Sequence, residues 1–404
     1  MSINGINQSD LKRMNLGLLL RLIHQDGGIT RASLAKITGL TVAAVAKLVD
    51  ELLVEDLIVE VEPSVQKRGR PASGLAFRYE THLVLAVKLS RRYVRWGVFD
   101  FSGSADAQYL HEDEIPEDMQ SDELLKLIVL GIQKAIKKYR NLRVVGIAVP
   151  GPFDVDKIKI NVVTEMTNLT GLDLSKLSNE QSDLPIFFIH DANAGAMSEW
   201  INLDPKIKNE TTLAYYLVGE GVGVGVVEKG RIIQGRRGMA AELGHVSIDP
   251  DGGLCGCGNR GCLEMYCSSI SVERRVERER KRDPRSELNN LVKPNIREIL
   301  NLAARGDELA ARLVGEAAHA IALGAVNIVN AYDPEIIVIG DKMSQGGQAL
   351  LDQILPTLKE RTSYRIDNIT VEMEDTNYDH ILHGAASNAI RNCLENPDLL
   401  KDRM

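Results

Sequence analysis

Three cysteines and one histidine lie close together in this chain, in a segment too short to fold by itself. They are His245, Cys255, Cys257 and Cys262, with glycines at 256, 258 and 261. Thiolate sulfur and imidazole nitrogen are ligands that zinc prefers, and four of them complete a closed tetrahedral site. The glycines let the backbone bend around an ion. The cluster therefore predicts one structural zinc ion per chain, bound by these four residues.

The alternatives for this cluster are ordinary buried thiols or disulfides. Three of the five cysteines lie beside one histidine, which is typical of a metal site. A disulfide between Cys255 and Cys257 would be strained by its short loop. Cys267 and Cys393 stand alone and are predicted to be core residues. The pattern favours a metal site.

Length and composition restrict the class of protein further. The 404 residues predict two or three domains, and 44% hydrophobic residues can form substantial cores. A net charge of -8 argues against a general polyanion binder but allows a local basic surface. The amino terminus lacks the basic and apolar segments of a secretion signal, and no run of about 18 apolar residues predicts a membrane span. Free thiols fit a reducing compartment. We therefore expect a cytoplasmic protein without membrane insertion.

The amino-terminal part of the chain has the pattern of a helix-turn-helix domain. Apolar residues at helical spacing predict a first helix over residues 11–25, which ends at Asp26-Gly27-Gly28. A short second helix is predicted over residues 31–38, followed by a turn at Gly39. Thr41 is a suitable N-cap for a third helix from Val42 to about Leu53. Two short helices joined by a glycine-containing turn indicate DNA binding.

A basic loop between two predicted strands extends this pattern to a winged helix. The strands cover residues 56–62 and 74–77, and the loop contains Lys67, Arg68, Gly69 and Arg70. Arginine fits a narrow minor groove, where the negative potential is strongest. The third helix is expected in the major groove. Its candidate contacts are Thr41, Ala43, Ala44 and Lys47. A three-helix bundle that mediates only protein contacts is the alternative, and the basic loop in an acidic chain favours double-stranded operator DNA.

From residue 82 onward, apolar strands alternate with helices. Strands are predicted over residues 83–89, 93–99, 143–149 and 185–190, and a helix over 122–139. Alternation of this kind indicates α/β layers. Functional side chains are expected at the carboxyl ends of such strands.

Two motifs in this part of the chain resemble the signature of the ROK family, which joins bacterial sugar repressors and sugar kinases. They are Ala-Glu-Leu-Gly-His, ending at His245, and Cys-x-Cys-Gly-x-x-Gly-Cys-Leu-Glu, ending at Glu264. The resemblance covers nearly all of residues 82–390. It implies an α/β protein with an N-terminal winged helix-turn-helix and a two-lobed actin-like, sugar kinase (ribonuclease H-like) body. It also implies that the histidine and the three cysteines hold a structural zinc.

The expected domains follow from this architecture. Residues 1–80 form the winged helix-turn-helix, 81–190 the first lobe, and 191–384 the second lobe with the zinc loop. The C-terminal helix, 385–404, is expected to return to the first lobe. Apolar faces on helices 317–332 and 381–394 are predicted to form subunit contacts in a homodimer or homotetramer.

The resemblance also implies a sugar-binding site between the lobes. The residues carried over are Asn168, His190, Asp191, Glu242, His245 and Glu264, of which Asn168 is the weakest candidate. Carboxylates suit vicinal hydroxyls because each accepts two hydrogen bonds. In the family's kinases the residue matching Asp191 is the general base. Here it can equally be a helix cap or a hydrogen-bond acceptor, and we predict no catalytic residue, with Asp191 as the vestige of that base.

Three departures from the kinase pattern predict that ATP binding is lost. The first phosphate turn reads Lys88-Leu-Ser-Arg91-Arg92, without the acidic residue of the kinases. Lysine and arginine do not coordinate Mg²⁺, which requires oxygen ligands. Glu220 interrupts the second, glycine-rich turn, where a carboxylate repels phosphate. Asp341 replaces a glycine on the adenosine side.

These observations predict a transcriptional repressor of sugar uptake or catabolism genes, controlled by a sugar or sugar phosphate between the lobes. A regulatory partner protein could act in place of the sugar. The first alternative is an active ROK sugar kinase that carries a DNA-binding head and phosphorylates a hexose or N-acetylhexosamine. The second is a zinc-dependent scaffold without a ligand.

Overall fold

The computed structural model describes residues 7–62, 73–161, 170–180, 184–362 and 368–400. The basic loop with Lys67, Arg68, Gly69 and Arg70 lies outside these ranges, as does Asn168. Their predicted roles therefore stay predictions.

The amino-terminal head has the predicted helix-turn-helix order. Its elements are α1 (Gln8–Gln25), β1 (Ile29–Thr30), α2 (Arg31–Thr38), α3 (Val42–Val54), β2 (Ile58–Val61) and β3 (Gly74–Phe77). The strands form one antiparallel sheet in the order β1-β3-β2. Thr41 caps α3, because its side-chain oxygen accepts a hydrogen bond from the Ala44 amide at 3.2 Å. Helix α1 begins three residues earlier than predicted because Asn7 caps it in the same way.

The first lobe is built on a mixed five-stranded sheet. Its strands are β4 (Leu83–Leu89), β5 (Tyr93–Asp100), β6 (His111–Glu114), β7 (Leu142–Val149) and β10 (Ile186–His190), in the order β10-β7-β4-β5-β6. The remaining elements are α4 (Ser121–Lys138), β8 (Phe153–Asp154), β9 (Lys159–Ile160) and α5 (Ser175–Glu180). The parallel strands β7 and β10 end at the same edge of the sheet, where Val149 pairs with His190.

The second lobe has its own five-stranded sheet, in the order β13-β12-β11-β14-β15. These strands are β11 (Thr212–Val218), β12 (Val222–Glu228), β13 (Arg231–Ile232), β14 (Ile336–Gly340) and β15 (Thr370–Met373). The helices from residue 191 onward are α6 (Asp191–Asn202), α7 (Pro205–Lys208), α8 (Glu264–Cys267), α9 (Ser269–Glu279), α10 (Ile296–Ala304), α11 (Glu308–Tyr332), α12 (Gly347–Arg361) and α13 (His380–Glu395).

Helices α6 and α13 join the two lobes. Helix α6 packs on β11 and β12, α13 packs on β4 and β7, and the two helices pack on each other. Their backbones approach so closely that only glycine fits at position 384, where a Cβ atom would stand 1.8 Å from the carbonyl oxygen of Ala194. The C-terminal helix thus lies on the first-lobe sheet.

The C-terminal end of α13 packs against helix α1 of the head. A Cβ atom at Gly17 of α1 would stand 2.6 Å from the carbonyl oxygen of Glu395, and Arg21 pairs with the Glu395 carboxylate at 3.2 Å. Residues of α1, α3 and α13 belong to one continuous hydrophobic core. Head and first lobe therefore form one packed unit.

The apolar faces of helices 317–332 and 381–394, which are predicted to form subunit contacts, are largely covered within the chain itself, and the subunit contacts stay a prediction. The apolar residues of α13, such as Ile381 and Ile390, are buried between the first-lobe sheet and α6. The apolar residues of α11, such as Ile321 and Ile328, are buried against neighbouring helices of the same lobe. Helical periodicity identifies an apolar face but does not reveal what covers it.

Helix α11 is also the one helix, among the described residues, that could cross a membrane by length and composition. Of its most apolar 18-residue window, 61% is buried inside the protein. Core helices pass the same test, so this result is weak evidence for a membrane span.

Candidate interlobe site and metal centre

A narrow cleft between the lobes brings five of the six predicted sugar contacts together. The residues that line it include His190, Asp191, Glu242, His245 and Glu264. They converge because β10 delivers His190 at its carboxyl end, α6 begins with Asp191, and α8 begins with Glu264. The free volume of the cleft is about 40 Å³, close to the share of one water molecule in the liquid, about 30 Å³. The cleft is therefore closed in this arrangement.

His190 lies at the centre of the acidic side of this cleft. Its Nε2 atom lies 3.4 Å from Asp191 Oδ1 and 3.8 Å from Glu242 Oε1. A Cβ atom at Gly151 would stand 2.3 Å from the same Nε2, so a glycine is required there. The Oε1 atom of Glu242 is buried and has no hydrogen-bond partner among the described residues. A buried oxygen of this kind can accept a hydrogen bond from a ligand hydroxyl.

Burial controls the protonation of both carboxyl groups. It raises the pKa of Asp191, an effect that His190 partly offsets. It also raises the pKa of Glu242, with His190 and His245 acting in the opposite direction. Asp191 Oδ1 accepts a hydrogen bond from the Ala192 amide at 2.7 Å, which fixes the carboxylate in the first turn of α6.

Arg91, which follows β4 in the first lobe, binds the opposite wall of the cleft. Its Nη2 atom donates to Glu264 Oε2 at 2.9 Å, and its backbone amide donates to Glu220 Oε2 at 2.9 Å. The guanidinium also donates to the backbone carbonyl of Glu220. Gly221 leaves the space for this pair, since a Cβ atom there would stand 2.6 Å from Arg91 Nη2.

The other departures from the kinase pattern also meet across the cleft. Lys88 Nζ lies 3.3 Å from Asp341 Oδ1 and 3.4 Å from Asp379 Oδ2. Burial alone would lower the pKa of Lys88, but these two carboxylates raise it well above its ordinary value. Lys342 Nζ pairs with Glu220 Oε1 at 2.7 Å. The substituted positions therefore neutralise one another.

A larger cavity of about 940 Å³ adjoins the cleft at Lys88 and Asp341. Glu374 and His380 line it, and with Glu199 they form a second group of metal-ligand type. His380 Nδ1 lies 2.7 Å from Glu199 Oε1. Two tetrahedral ligands at zinc bond lengths of about 2.0–2.2 Å stand farther apart than this, so we assign the contact as an ion pair.

The four predicted zinc ligands form the other group of side chains that could hold a metal ion. One ligand atom each from His245, Cys255, Cys257 and Cys262 lies within 4.8 Å of the others. Cys257 Sγ and Cys262 Sγ are 3.7 Å apart, whereas a disulfide bond is about 2.05 Å long. All five cysteines are free. The disulfide alternative is therefore wrong, and the donor set fits a tetrahedral zinc ion.

Backbone hydrogen bonds stabilise the tight turn in the loop that contains Cys255, Cys257 and Cys262. The Cys255 amide donates to the Asn259 carbonyl at 2.7 Å, and the Gly258 amide donates to the Cys255 carbonyl at 2.9 Å. The Asn259 side chain donates to the His245 carbonyl at 3.0 Å. His245 lies both in this cluster and in the wall of the cleft, so the loop fixes part of the cleft.

The predicted DNA-reading residues lie together at the start of α3. Thr41, Ala43 and Lys47 are exposed, and Ala44 is half-buried. The side-chain oxygen of Thr41 already accepts a backbone hydrogen bond as the helix cap, which leaves its hydroxyl hydrogen for a further contact.

Sequence reasoning missed Arg91 as a residue of the cleft. In the sequence, Lys88, Arg91 and Arg92 indicate the loss of a magnesium site and do not reveal a contact with Glu264. The available signal was charge complementarity, because basic residues replace the first phosphate turn while Glu220 and Asp341 add acidic groups to the facing turns.

Fold and cleft together define a two-lobed sugar-kinase-type body with a winged-helix DNA-binding head. The sequence profile of the ROK family matches residues 84–389, and that of winged helix-turn-helix DNA-binding domains matches residues 17–59. The chain belongs to the ROK family.

Relatives with and without the head are similar to this chain. The xylose repressor of Caldicellulosiruptor bescii is 26% identical over 97% of this chain and 99% of its own length. The crystal structure of a ROK family transcriptional regulator, a homologue of the Escherichia coli Mlc protein, superposes with a TM-score of 0.80 at 27% identity, covering 96% of this chain and 98% of that one. The ROK hexokinase of Thermus thermophilus has a TM-score of 0.60 at 25% identity, and its match covers 76% of this chain and 97% of the hexokinase.

Proposed function

We propose that this protein is a sugar-responsive transcriptional repressor whose body binds a sugar or sugar phosphate between the lobes. The head binds a pseudo-palindromic operator as a homodimer, with one α3 helix in each of two successive major grooves. Similarity to the xylose repressor and to the regulator related to Mlc, over nearly the full chain, supports this class.

One observation carries the sugar assignment. Asp191, Glu242 and Glu264 face a single cleft, and Glu242 Oε1 is buried there without a hydrogen-bond partner among the described residues. Unpaired buried acceptors are costly, and sugar hydroxyls are donors that would satisfy them. The cations at Lys88 and Arg91 each bind a carboxylate, which supports a binding site that has lost ATP rather than a kinase site.

The zinc ion in this proposal is structural. Four protein ligands close its coordination shell and leave no position for substrate. Its role is to hold His245 and the loop that leads to Glu264, so that the metal shapes the sugar site without taking part in chemistry.

The first test measures operator binding and its release by sugars. Purified protein is bound to DNA selected from its own genome, and pentoses, hexoses, N-acetylsugars and their phosphates are added in turn. We expect one of them to weaken DNA binding, and Glu242→Gln to abolish this response while operator affinity in the absence of sugar stays unchanged. Glu228→Gln, an exposed change on the same lobe, should respond like the wild type.

Two results would contradict the proposal. Turnover of ATP with a sugar that Asp191→Asn abolishes would identify a kinase. Thermal midpoints that do not change across the whole panel would favour a scaffold, or a repressor controlled by a partner protein.

A further inference from the structure

We propose that Arg91 is the latch of the sugar pocket: it holds the lobes closed through Glu264 in the free protein, and a sugar hydroxyl displaces it. This inference rests on the proposed sugar-binding function. It adds Arg91 to the residues of the pocket and states how the pocket is regulated.

The latch is buried on both sides. The side chain of Arg91 is 6% exposed and that of Glu264 is 7% exposed. Glu264 Oε2 accepts from Arg91 Nη2 at 2.9 Å and from the Val222 amide at 3.0 Å. Charge-assisted hydrogen bonds away from water are the stronger kind. Arg91 therefore occupies the oxygen of Glu264 that also contacts the glycine-rich turn.

The sugar and the guanidinium compete for the same place. The closed cleft has a volume of about 40 Å³, which accommodates about one water molecule. Gly221 lies directly beside this pair, because a Cβ atom there would stand 2.6 Å from Arg91 Nη2 and 3.0 Å from Glu264 Oε2. A sugar hydroxyl that binds Glu264 Oε2 therefore competes with Arg91 Nη2 for this oxygen, and sugar binding there favours a broken Arg91–Glu264 pair.

The latch joins parts of the chain that move with different lobes. Arg91 follows β4 in the first lobe, whereas Glu220 and Glu264 belong to the second. The head packs on α13, which packs on the first-lobe sheet. When the Arg91–Glu264 pair breaks, a change in the angle between the two lobes moves the head relative to the second lobe. A ligand can drive such a change only through different affinities for the two arrangements.

The test compares Arg91→Met with Arg92→Met. Arg92 is the adjacent residue and also pairs across the lobes, with Glu273 at 2.7 Å, but its side chain is 42% exposed and it does not line the cleft. Small-angle scattering of the sugar-free proteins should show a larger radius of gyration for Arg91→Met and no change for Arg92→Met. The double variant Arg91→Met/Glu264→Gln removes both buried charges of the pair and provides the same scattering measurement if the single variant does not fold.

The second measurement is affinity for the sugar that releases the wild type from DNA. Charge-assisted hydrogen bonds are the stronger kind, so the loss of the competing Arg91–Glu264 bond should favour sugar binding, and a tenfold gain in affinity corresponds to about 1.4 kcal/mol. We expect Arg91→Met to bind the sugar about tenfold more tightly and Arg92→Met to bind it as the wild type does. Arg91→Lys, which keeps the charge but loses the planar fork, should lie between them.

Unchanged scattering of Arg91→Met would overturn the latch, as would sugar affinity that is unchanged or weaker. If the wild type binds no sugar of the panel, the proposed function fails. Even if no sugar binds, a larger radius of gyration for sugar-free Arg91→Met than for Arg92→Met would still support the claim that Arg91 holds the lobes closed. Equal radii for the two variants would overturn that claim.

Discussion

At the scale of single residues, the cleft is governed by charges that lie far apart in the chain. Arg91 and Glu264 are separated by 173 positions, and Lys88 and Asp341 by 253. Each charge is buried or nearly so, and a buried charge without its partner is strongly destabilising. The charged residues at these turns are therefore coupled, and a substitution of one of them has to be judged together with its partner.

Glu374 gives the protein a measurable pH dependence. Burial raises its pKa to about 7, while the Tyr215 hydroxyl and the Asp341 amide donate to it. A carboxyl with a raised folded pKa contributes stability below about pH 4.5, and this contribution is lost as the pH rises through 7. We expect the stability of the wild type relative to Glu374→Gln to fall by about 3 kcal/mol over this range. Chemical unfolding between pH 5 and pH 8 should reveal most of it.

The control for this prediction is Glu360→Gln, because Glu360 is an exposed carboxyl on α12. Its removal should leave the pH dependence of the wild type in place. A Glu374→Gln protein that has the same pH dependence as the wild type would show that Glu374 is not the titrating group.

The second prediction at the scale of single residues is that the predicted zinc ligands bind one zinc ion per chain. Burial raises the pKa of the Cys255 and Cys262 thiols, so bound metal has to displace their protons. We expect mass spectrometry to find one zinc ion per chain in the wild type and none in Cys257→Ser, with a lower thermal midpoint and no response to sugar. Cys393→Ser, in the core away from the cluster, should retain the metal. A metal-free wild type would exclude the site.

At the scale of elements, helix contacts depend on glycines that allow two backbones to touch. Gly17 on α1 and Gly384 on α13 are the clearest cases, because each faces a backbone carbonyl of another helix. Helix propensity does not explain why glycine stands at these positions, because glycine destabilises a helix by about 1 kcal/mol relative to alanine.

Gly17→Ala tests the contact between the head and α13. The added methyl would stand 2.6 Å from the Glu395 carbonyl oxygen, and overpacking costs about 1–3 kcal/mol. We expect a lower thermal midpoint. Gly315→Ala is the matched control, because Gly315 lies in α11 and its added methyl would meet only the end of the Gln353 side chain at 3.5 Å. An equal fall in both variants would contradict the role of the contact.

The basic loop of the wing is predicted to bind the minor groove. Arg68→Ala combined with Arg70→Ala should weaken operator binding and reduce its dependence on salt, because each lost phosphate contact lowers the slope by about 0.9. Arg236→Ala combined with Arg237→Ala removes two exposed charges from the second lobe instead and should leave both quantities unchanged. Unaltered affinity and slope in the wing variant would remove the minor-groove assignment.

At the scale of the whole molecule, the proposed repressor has a kinase-type body whose cleft is closed by ion pairs. Lys88, Arg91 and Lys342 each bind a carboxylate at or beside the cleft. The head is attached to this body through a shared core rather than through a free linker. The lobe angle and the orientation of the head are therefore linked mechanically.

This arrangement predicts that Mg²⁺ and ATP do not stabilise the protein. A ligand at one hundred times its Kd would add about 2.7 kcal/mol to the free energy of unfolding. We expect no change in the thermal midpoint with ATP and Mg²⁺, with or without sugar. The ROK hexokinase of Thermus thermophilus, measured in parallel, provides the positive control. A clear shift in the present protein would reopen the kinase alternative.

Features whose signals lie within a few residues of one another could be predicted without a structure. Thr41 before an apolar-periodic segment predicted the cap of α3, and the spacing of three cysteines after His245 predicted the metal cluster, because both depend on neighbours within a few residues. Strands such as β4 and β10 were recognisable from continuous apolar runs. The family motifs then predicted which carboxylates face the cleft.

The contacts between these local elements depend on how distant segments of the chain pack together. The apolar face of α13 gave no indication that α6 and the first-lobe sheet cover it, and nothing near Arg91 in the chain identifies Glu264 as its partner. Periodicity reports which side of an element avoids water, whereas the partner of a buried face or charge is fixed by the packing of segments distant in sequence. For this reason the residues that line the cleft could be predicted from the sequence, while the Arg91–Glu264 contact across it could not.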